Sequence, residues 1–203
     1  MNTLLPIDAI TAPRRLVIEP PMTDAEFEEF CRLNEIAQIE RTRDGVIHMN
    51  PPAGMYTSDG NSEIGAQLRT WWKTHRRGRA FDSSAGFYLP DGSLLSPDAA
   101  YLSPERLQTL TKADRKGFPH VCPDFVIELL SPSDRLPDAK EKMARWVENG
   151  AQLAWLIDTA RQQVFVYWAG THFLSDAANS IDGDGPVAGF TLDLTEVWGR
   201  YED

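Results

Sequence analysis

The stretch Asp124-Phe-Val-Ile-Glu-Leu-Leu130 fixes the architecture. Apart from Glu128 its interior is apolar without alternation, the pattern of a strand covered on both faces. It is therefore predicted to lie in the middle of a sheet. Ser131-Pro132-Ser133 ends it. Pro137 then opens a helix that turns Ala139, Met143, Trp146 and Val147 inward, and Asn149-Gly150 stops it. Residues 151–157 and 163–168 follow as two more strands about a turn at 158–161. The remainder, with Asp182-Gly-Asp-Gly185, reads as a loop and a short closing segment.

Upstream of the central strand, 79–82, 86–89 and 99–102 are short strand candidates, the latter two separated by the turn Pro90-Asp91-Gly92. A short helix around 105–110 and a charged loop complete this part. Residues 60–62 are read as the cap of a strong helix running to about residue 76, with the apolar stripe Ile64, Leu68, Trp71, Trp72 and His75. Before it, 36–40 and 46–49 form a hairpin around a turn at 41–45 that ends in Asp44-Gly45. Thr23 caps a first helix with Asp24 and Glu26 in its first turn and Phe27, Phe30 and Leu33 inward. Residues 1–22, with Pro6, Pro13, Pro20 and Pro21, are an extended arm, and 23–203 read as one domain. The order of elements gives a mixed β-sheet flanked by helices, α/β or α+β in class.

The chain has 203 residues, with 20 Lys plus Arg against 30 Asp plus Glu, a net charge of −10. That balance opposes loose coating of nucleic acid, which needs a field of the opposite sign, but leaves room for a local basic groove. No uncharged apolar run approaches the ~20 residues that span a bilayer, and residues 1–17 lack the apolar run of a signal peptide. Cys31 and Cys122 form no C-x-x-C pair and are expected to be buried thiols of a reducing compartment, the cytoplasm. Trp168 and Trp198 would either serve an interface or close the core.

Several sites are excluded. The chain has no phosphate-binding glycine loop, so no nucleotide cofactor is expected; it also has no H-E-x-x-H pair and no G-x-S-x-G elbow. An EF-hand beginning at Asp182 fails because Val187 stands where that loop requires glycine. What remains is a group of acids at strand ends with lysines on the following helix. Asp98 opens a strand, and Glu128 sits in an apolar one, where a carboxylate is expensive unless paired or metal-bound. Two such carboxylates on neighbouring strands could hold a hard cation such as Mg²⁺. Lys140 and Lys142 each flank the apolar stripe of the next helix, where one of them could orient or deprotonate a water. Alternatively the acids and lysines are ordinary ion pairs, as Asp138 and Lys142 at i, i+4 would be. Glu63 lies at the border of its helix's stripe, near the expected first turn. Arg69, Lys73, Arg76, Arg77 and Arg79 form a strip free of acids, suited to phosphates or to plain solvation.

The segments Phe81-Asp-Ser-Ser-Ala-Gly-Phe-Tyr-Leu-Pro-Asp-Gly92, Leu95-Ser-Pro-Asp98, Cys122 to Asp134, Glu141-Lys-Met143 and Asn149 to Asp158 together carry a family resemblance. The chain resembles the bacterial Uma-two family, named for restriction endonucleases and grouped in the PD-(D/E)XK nuclease superfamily. The resemblance implies a restriction-endonuclease-like αβββαβ core. It implies that Asp98 and Glu128 bind the metal with a strand carbonyl near Leu129, and that Glu63 is the first-helix acid that tunes the site. The superfamily lysine would stand two residues after Glu128, where this chain has Leu130; the resemblance moves it to Lys142, with Lys140 second. Asp124 is read as structural first and a ligand second. The implied activity is Mg²⁺-dependent hydrolysis of DNA phosphodiester bonds, Mn²⁺ substituting, with Lys142 orienting the attacking water. The strip Arg69 to Arg79 would hold the backbone, and a homodimer would cut both strands. The other readings are a catalytically silent binding or regulatory module on the same fold, which the acidic balance favours, and action on RNA or a nucleotide.

Overall fold

The computed structural model describes residues 14–35, 37–176 and 179–199. Strand β1 is Arg14–Leu16, helix α1 Asp24–Leu33, and β2 and β3 are Gln38–Arg41 and Ile47–Asn50. Helix α2 spans Met55–His75. Short strands β4 (Arg79–Phe81), β5 (Phe87–Tyr88), β6 (Leu94–Leu95) and β7 (Ala99–Leu102) lead to α3 (Pro104–Thr109). Next come β8 (Phe125–Leu130), α4 (Leu136–Glu148), β9 (Leu153–Asp158) and β10 (Gln163–Trp168). The chain closes with β11 (Thr171–Asp176), β12 (Ser180–Asp182), β13 (Thr191–Asp193) and α5 (Thr195–Trp198).

β8 lies inside a six-stranded sheet of order β11-β10-β9-β8-β7-β4, and all its residues are buried. It runs parallel to β9 and antiparallel to β7, the α4 crossover supplying the parallel connection. Side chains alternate along the strand. Phe125, Ile127 and Leu129 pack with Ile64 and Leu68 of α2 and Val197 and Trp198 of α5. Val126 and Leu130 pack on the other face with Met143 and Trp146 of α4. Glu128 shares the parity of the α4 face, so its carboxylate is delivered to that helix. The β7–β8 register pairs Ala99 with Ile127 and Ala100 with Val126, and one step further sets Asp98 opposite Glu128.

Where one sheet was expected, the described strands divide between two large sheets and the separate β12–β13 pair. β1, β3, β2, β6 and β5 form a separate five-stranded antiparallel sheet. Its core holds Phe27, Ile39, Ile47, Met49, Tyr88 and Leu94. β6 lies between the expected turn at 90–92 and the expected strand at 99–102, where the sequence predicts no element. Arg41, expected in the hairpin turn, ends β2 and is buried, because it forms an ion pair with Asp24 of α1 at 2.5 Å. Residues 14–16 of the arm are a paired strand; residues 1–13 and Ile36 lie outside the described residues.

Three further expectations change. α2 begins at Met55, with Gly54 as N-cap, and not at 60–62. The polar residues there look like a cap locally, but Gly60 is buried and Ser62 Oγ donates to the Ser58 carbonyl at 3.0 Å, so the helix runs through them. Its end matches expectation: Arg76 is the C-cap, with φ of 52°. The closing segment is not a loop but carries β11, the β12–β13 pair and α5. Trp198 is buried and Trp168 packs against the same core, so both close the core. Burial holds the Cys122 thiol protonated, with a pKa pushed up to about 12, whereas Cys31 is only half-buried. Among the described residues, no helix is long and apolar enough to cross a membrane.

Candidate active site

Asp98, at the start of β7, Glu128, in β8, and Lys142, on α4, come together where the two large sheets meet. Glu128 Oε1 accepts from Trp146 Nε1 at 2.9 Å and lies 2.8 Å from Lys142 Nζ. Lys142 and Trp146 are one helical turn apart, so both reach the carboxylate from the same face of α4. Lys142 Nζ also donates to the Ser96 carbonyl and to Glu40 Oε1, each at 2.9 Å. An ammonium has three protons, and these three acceptors take them all.

Glu40 is, with Asn61, a site residue to which the sequence did not point. It comes from β2 in the other sheet, is 9% exposed, and accepts the Ser96 backbone N–H at 2.9 Å as well as Lys142. The available signal was a glutamate among buried positions of a short strand, but no local pattern ties it to Lys142. Of the two candidate lysines, only Lys142 is bonded at this cluster; Lys140 lies over the Phe165 ring, 4.2 Å from its centroid.

Asp98 is held by neutral donors. Its Oδ1 accepts from Asn61 Nδ2 and its Oδ2 from the Leu129 backbone N–H, both at 2.7 Å. Leu129, where a ligating carbonyl was expected, thus presents its N–H to Asp98. Asn61 Oδ1 is buried without a hydrogen-bond partner among the described residues. Glu63 points about 200° around α2 from Asn61 at 100° per residue. It accepts from Gln67 Nε2 at 3.0 Å, and Gln67 is tied to β13 through Asp193. The α2 side chain hydrogen-bonded to Asp98 is therefore Asn61 and not Glu63. Because α2 starts earlier than expected, Glu63 also lies about two turns inside the helix, away from the N-terminal dipole.

The electrostatics follow from burial. Burial pushes the Glu128 carboxyl up to about 8, against the pull of Lys142, with Asp98 and Glu40 adding to the rise. Burial also raises Asp98, partly offset by the Leu129 N–H, Lys142 and Asn61. For Lys142 burial works against the charge, but Glu128 and Glu40 outweigh it and raise its pKa.

Asp124 is engaged elsewhere. It is 1% exposed and binds Arg106 Nε at 3.0 Å, the Ser103 backbone N–H at 2.7 Å and Gln152 Nε2 at 2.7 Å. This carboxylate ties α3 and the entry to β9 onto β8, about 13 Å along the strand from Glu128 at 3.3 Å per residue. The basic strip lies toward the C-terminal end of α2. Arg69 and Arg79 stand 4.1 and 5.6 Å from the Trp72 ring centroid. Arg76, Arg77 and Arg79 share a surface concavity with Arg115, while Lys73 is exposed on the helix.

The sequence matches the family Uma2, described as "Putative restriction endonuclease", over residues 24–194. Among solved structures it is similar to the crystal structure of "a putative nuclease belonging to DUF820 from Anabaena variabilis ATCC 29413". That match has a TM-score of 0.70 at 23% identity and covers 89% of this chain and 99% of the other. It establishes a shared fold. No curated protein matches the sequence. With the match extending over most of its length, the chain belongs to the Uma2 (Uma-two) family.

Proposed function

We propose that this chain is a Mg²⁺-dependent endonuclease that hydrolyses DNA phosphodiester bonds. The observation that carries the reading is the placement of Asp98 opposite Glu128 on adjacent central strands, with Lys142 beside them. The donor set fits a hard cation. Asp98 is bonded to neutral donors at both oxygens, and burial raises the pKa of both acids, so positive charge placed between them would relieve their desolvation. Among the described residues, no three His, Cys, Asp or Glu side chains cluster as a metal cage. Two carboxylates completed by neutral oxygens and water is the sparse protein ligation that Mg²⁺ favours. Mg²⁺ or Mn²⁺, when bound, supplies Lewis-acid polarisation and an acidified water.

The chain's own residues do the rest. Asp98 and Glu128 would hold the cation. Lys142, its pKa raised, stays charged and is not a general base; its charge favours negative charge developing on the phosphoryl group, and to donate to the attacking water it would give up one of its three acceptors, Ser96, Glu40 or Glu128. Trp146 and Glu40 position Glu128 and Lys142. The arginines at the far end of α2 hold the phosphate backbone. Asn61 and Arg76 are fifteen residues apart on one helix, about 22 Å at 1.5 Å per residue. That reach corresponds to roughly six base pairs of duplex at 3.4 Å each.

Asp98→Asn and Glu128→Gln keep shape while removing charge, and each is expected to abolish Mg²⁺-dependent cleavage of duplex DNA at unchanged secondary structure. Undiminished cleavage by both variants sinks the assignment. Cation-induced stabilisation without cleavage of DNA or RNA would instead favour the silent module, for which the saturated Lys142 cluster is the supporting observation.

A further inference from the structure

α2 sends one side chain to the acid pair, and only half of that side chain is engaged. Asn61 Nδ2 donates to Asp98 Oδ1 at 2.7 Å, while the carboxamide oxygen on the same carbon is buried without a partner among the described residues. Exchanging the two ends of the amide does not remove the problem. Asp98 accepts at both oxygens, since Leu129 N–H takes the other one at 2.7 Å, so a reversed amide would set oxygen against oxygen. The orientation is thus fixed by Asp98, and Oδ1, on the same carbon as the nitrogen that meets Asp98, is left buried with an unmet acceptor. A buried carbonyl oxygen in that state carries a desolvation penalty unless a donor or a cation meets it. Side-chain carbonyls of asparagine are ordinary ligands of hard cations.

We propose that Asn61 Oδ1 is a third, neutral oxygen ligand of the divalent cation held by Asp98 and Glu128, an inference that rests on the metal-dependent reading above. One end of the amide fixes Asp98 and the other completes the site, so α2 both orients and contributes to it. The ligand set is then two carboxylates, which balance a divalent charge, and one neutral oxygen. The Gly60-Asn61-Ser62 segment, cap-like in sequence, lies inside α2 and places Asn61 against β7.

The test is Mn²⁺ binding to the full chain by calorimetry, with thermal unfolding in EDTA and in saturating Mn²⁺ alongside. Asn61→Leu is expected to weaken Mn²⁺ at least tenfold, roughly the size of effect seen when groups supporting a metal site are removed. Asn61→Asp separates ligation from a merely structural clip. As a ligand position it restores the oxygen and adds charge, so its EDTA midpoint falls while its Mn²⁺-induced rise exceeds that of the unaltered chain. As a clip it places one carboxylate against another, and the Mn²⁺ response does not grow. Unchanged Mn²⁺ affinity in Asn61→Leu, or no enlarged response in Asn61→Asp, overturns the inference. If Asp98→Asn abolishes Mn²⁺ binding in the same series, the parent reading survives that failure. Absence of Mn²⁺ binding by the unaltered chain overturns both.

Discussion

Among single residues, Glu128 and Lys142 set the behaviour of the site. Glu128 titrates near 8 in the folded chain against an ordinary 4.5, chiefly because it is buried. The folded state therefore holds this proton more tightly than the unfolded state. Its contribution to stability is full below about 4.5 and is lost as pH rises through about 8. In EDTA the thermal midpoint should fall across that window, and Glu128→Gln should flatten the fall; an equal slope in the variant would refute the account. Lys142→Met leaves Glu40 and Glu128 without their cation and is expected to cost about 3–5 kcal/mol in urea unfolding. Lys140→Met removes a cation–π contact with Phe165 worth about 0.5–1 kcal/mol and should leave cleavage intact. A reversed ranking would return the role to Lys140. The helical wheel could only place both lysines beside the stripe; which one reaches an acid depends on where Glu40 of β2 and Glu128 of β8 meet α4.

Among the elements, β8 divides its work between its two ends. Glu128 faces the site, whereas Asp124 is bound by Arg106, Ser103 and Gln152. Asp124→Ala leaves Arg106 without its carboxylate and is expected to destabilise by about 3–5 kcal/mol while leaving Mn²⁺ affinity unchanged. A drop in Mn²⁺ affinity would make Asp124 a ligand after all. α2 likewise has two ends, with Asn61 toward the acids and the arginines far from them. Changing Arg76, Arg77 and Arg79 to Gln should weaken DNA binding and lower the salt slope by about 0.9 for each phosphate no longer neutralised. An unaltered slope would show these to be solvated charges. The C-terminal end of α2 was legible because its apolar stripe ends there. Its N-terminal end was not, because Ser, Asp, Gly and Asn favour caps locally and only tertiary packing keeps them helical.

In the molecule as a whole, Lys142 joins the two large sheets: Glu40 belongs to one and Glu128 to the other. The site is complete only when both have docked. Cutting both strands of a duplex would require two such sites, so we expect a homodimer on DNA. Sedimentation velocity with duplex present should show two chains per DNA, and a strict 1:1 complex would contradict this.

Local sequence was enough to specify the central strand, the acids at Asp98 and Glu128, and a lysine-bearing helix after them. Those features depend on an unbroken apolar run, on period-3.6 burial in the helix, and on a residue whose charge is out of place in that run. The family resemblance put Lys142 ahead of Lys140, but its partners, the division of the strands into separate sheets, and the entry of Glu40 and Asn61 came only with tertiary packing. Glu40 meets Ser96 across 56 residues of chain and Asn61 meets Asp98 across 37. Local periodicity fixes which face of an element is buried; it does not say which distant element will cover that face.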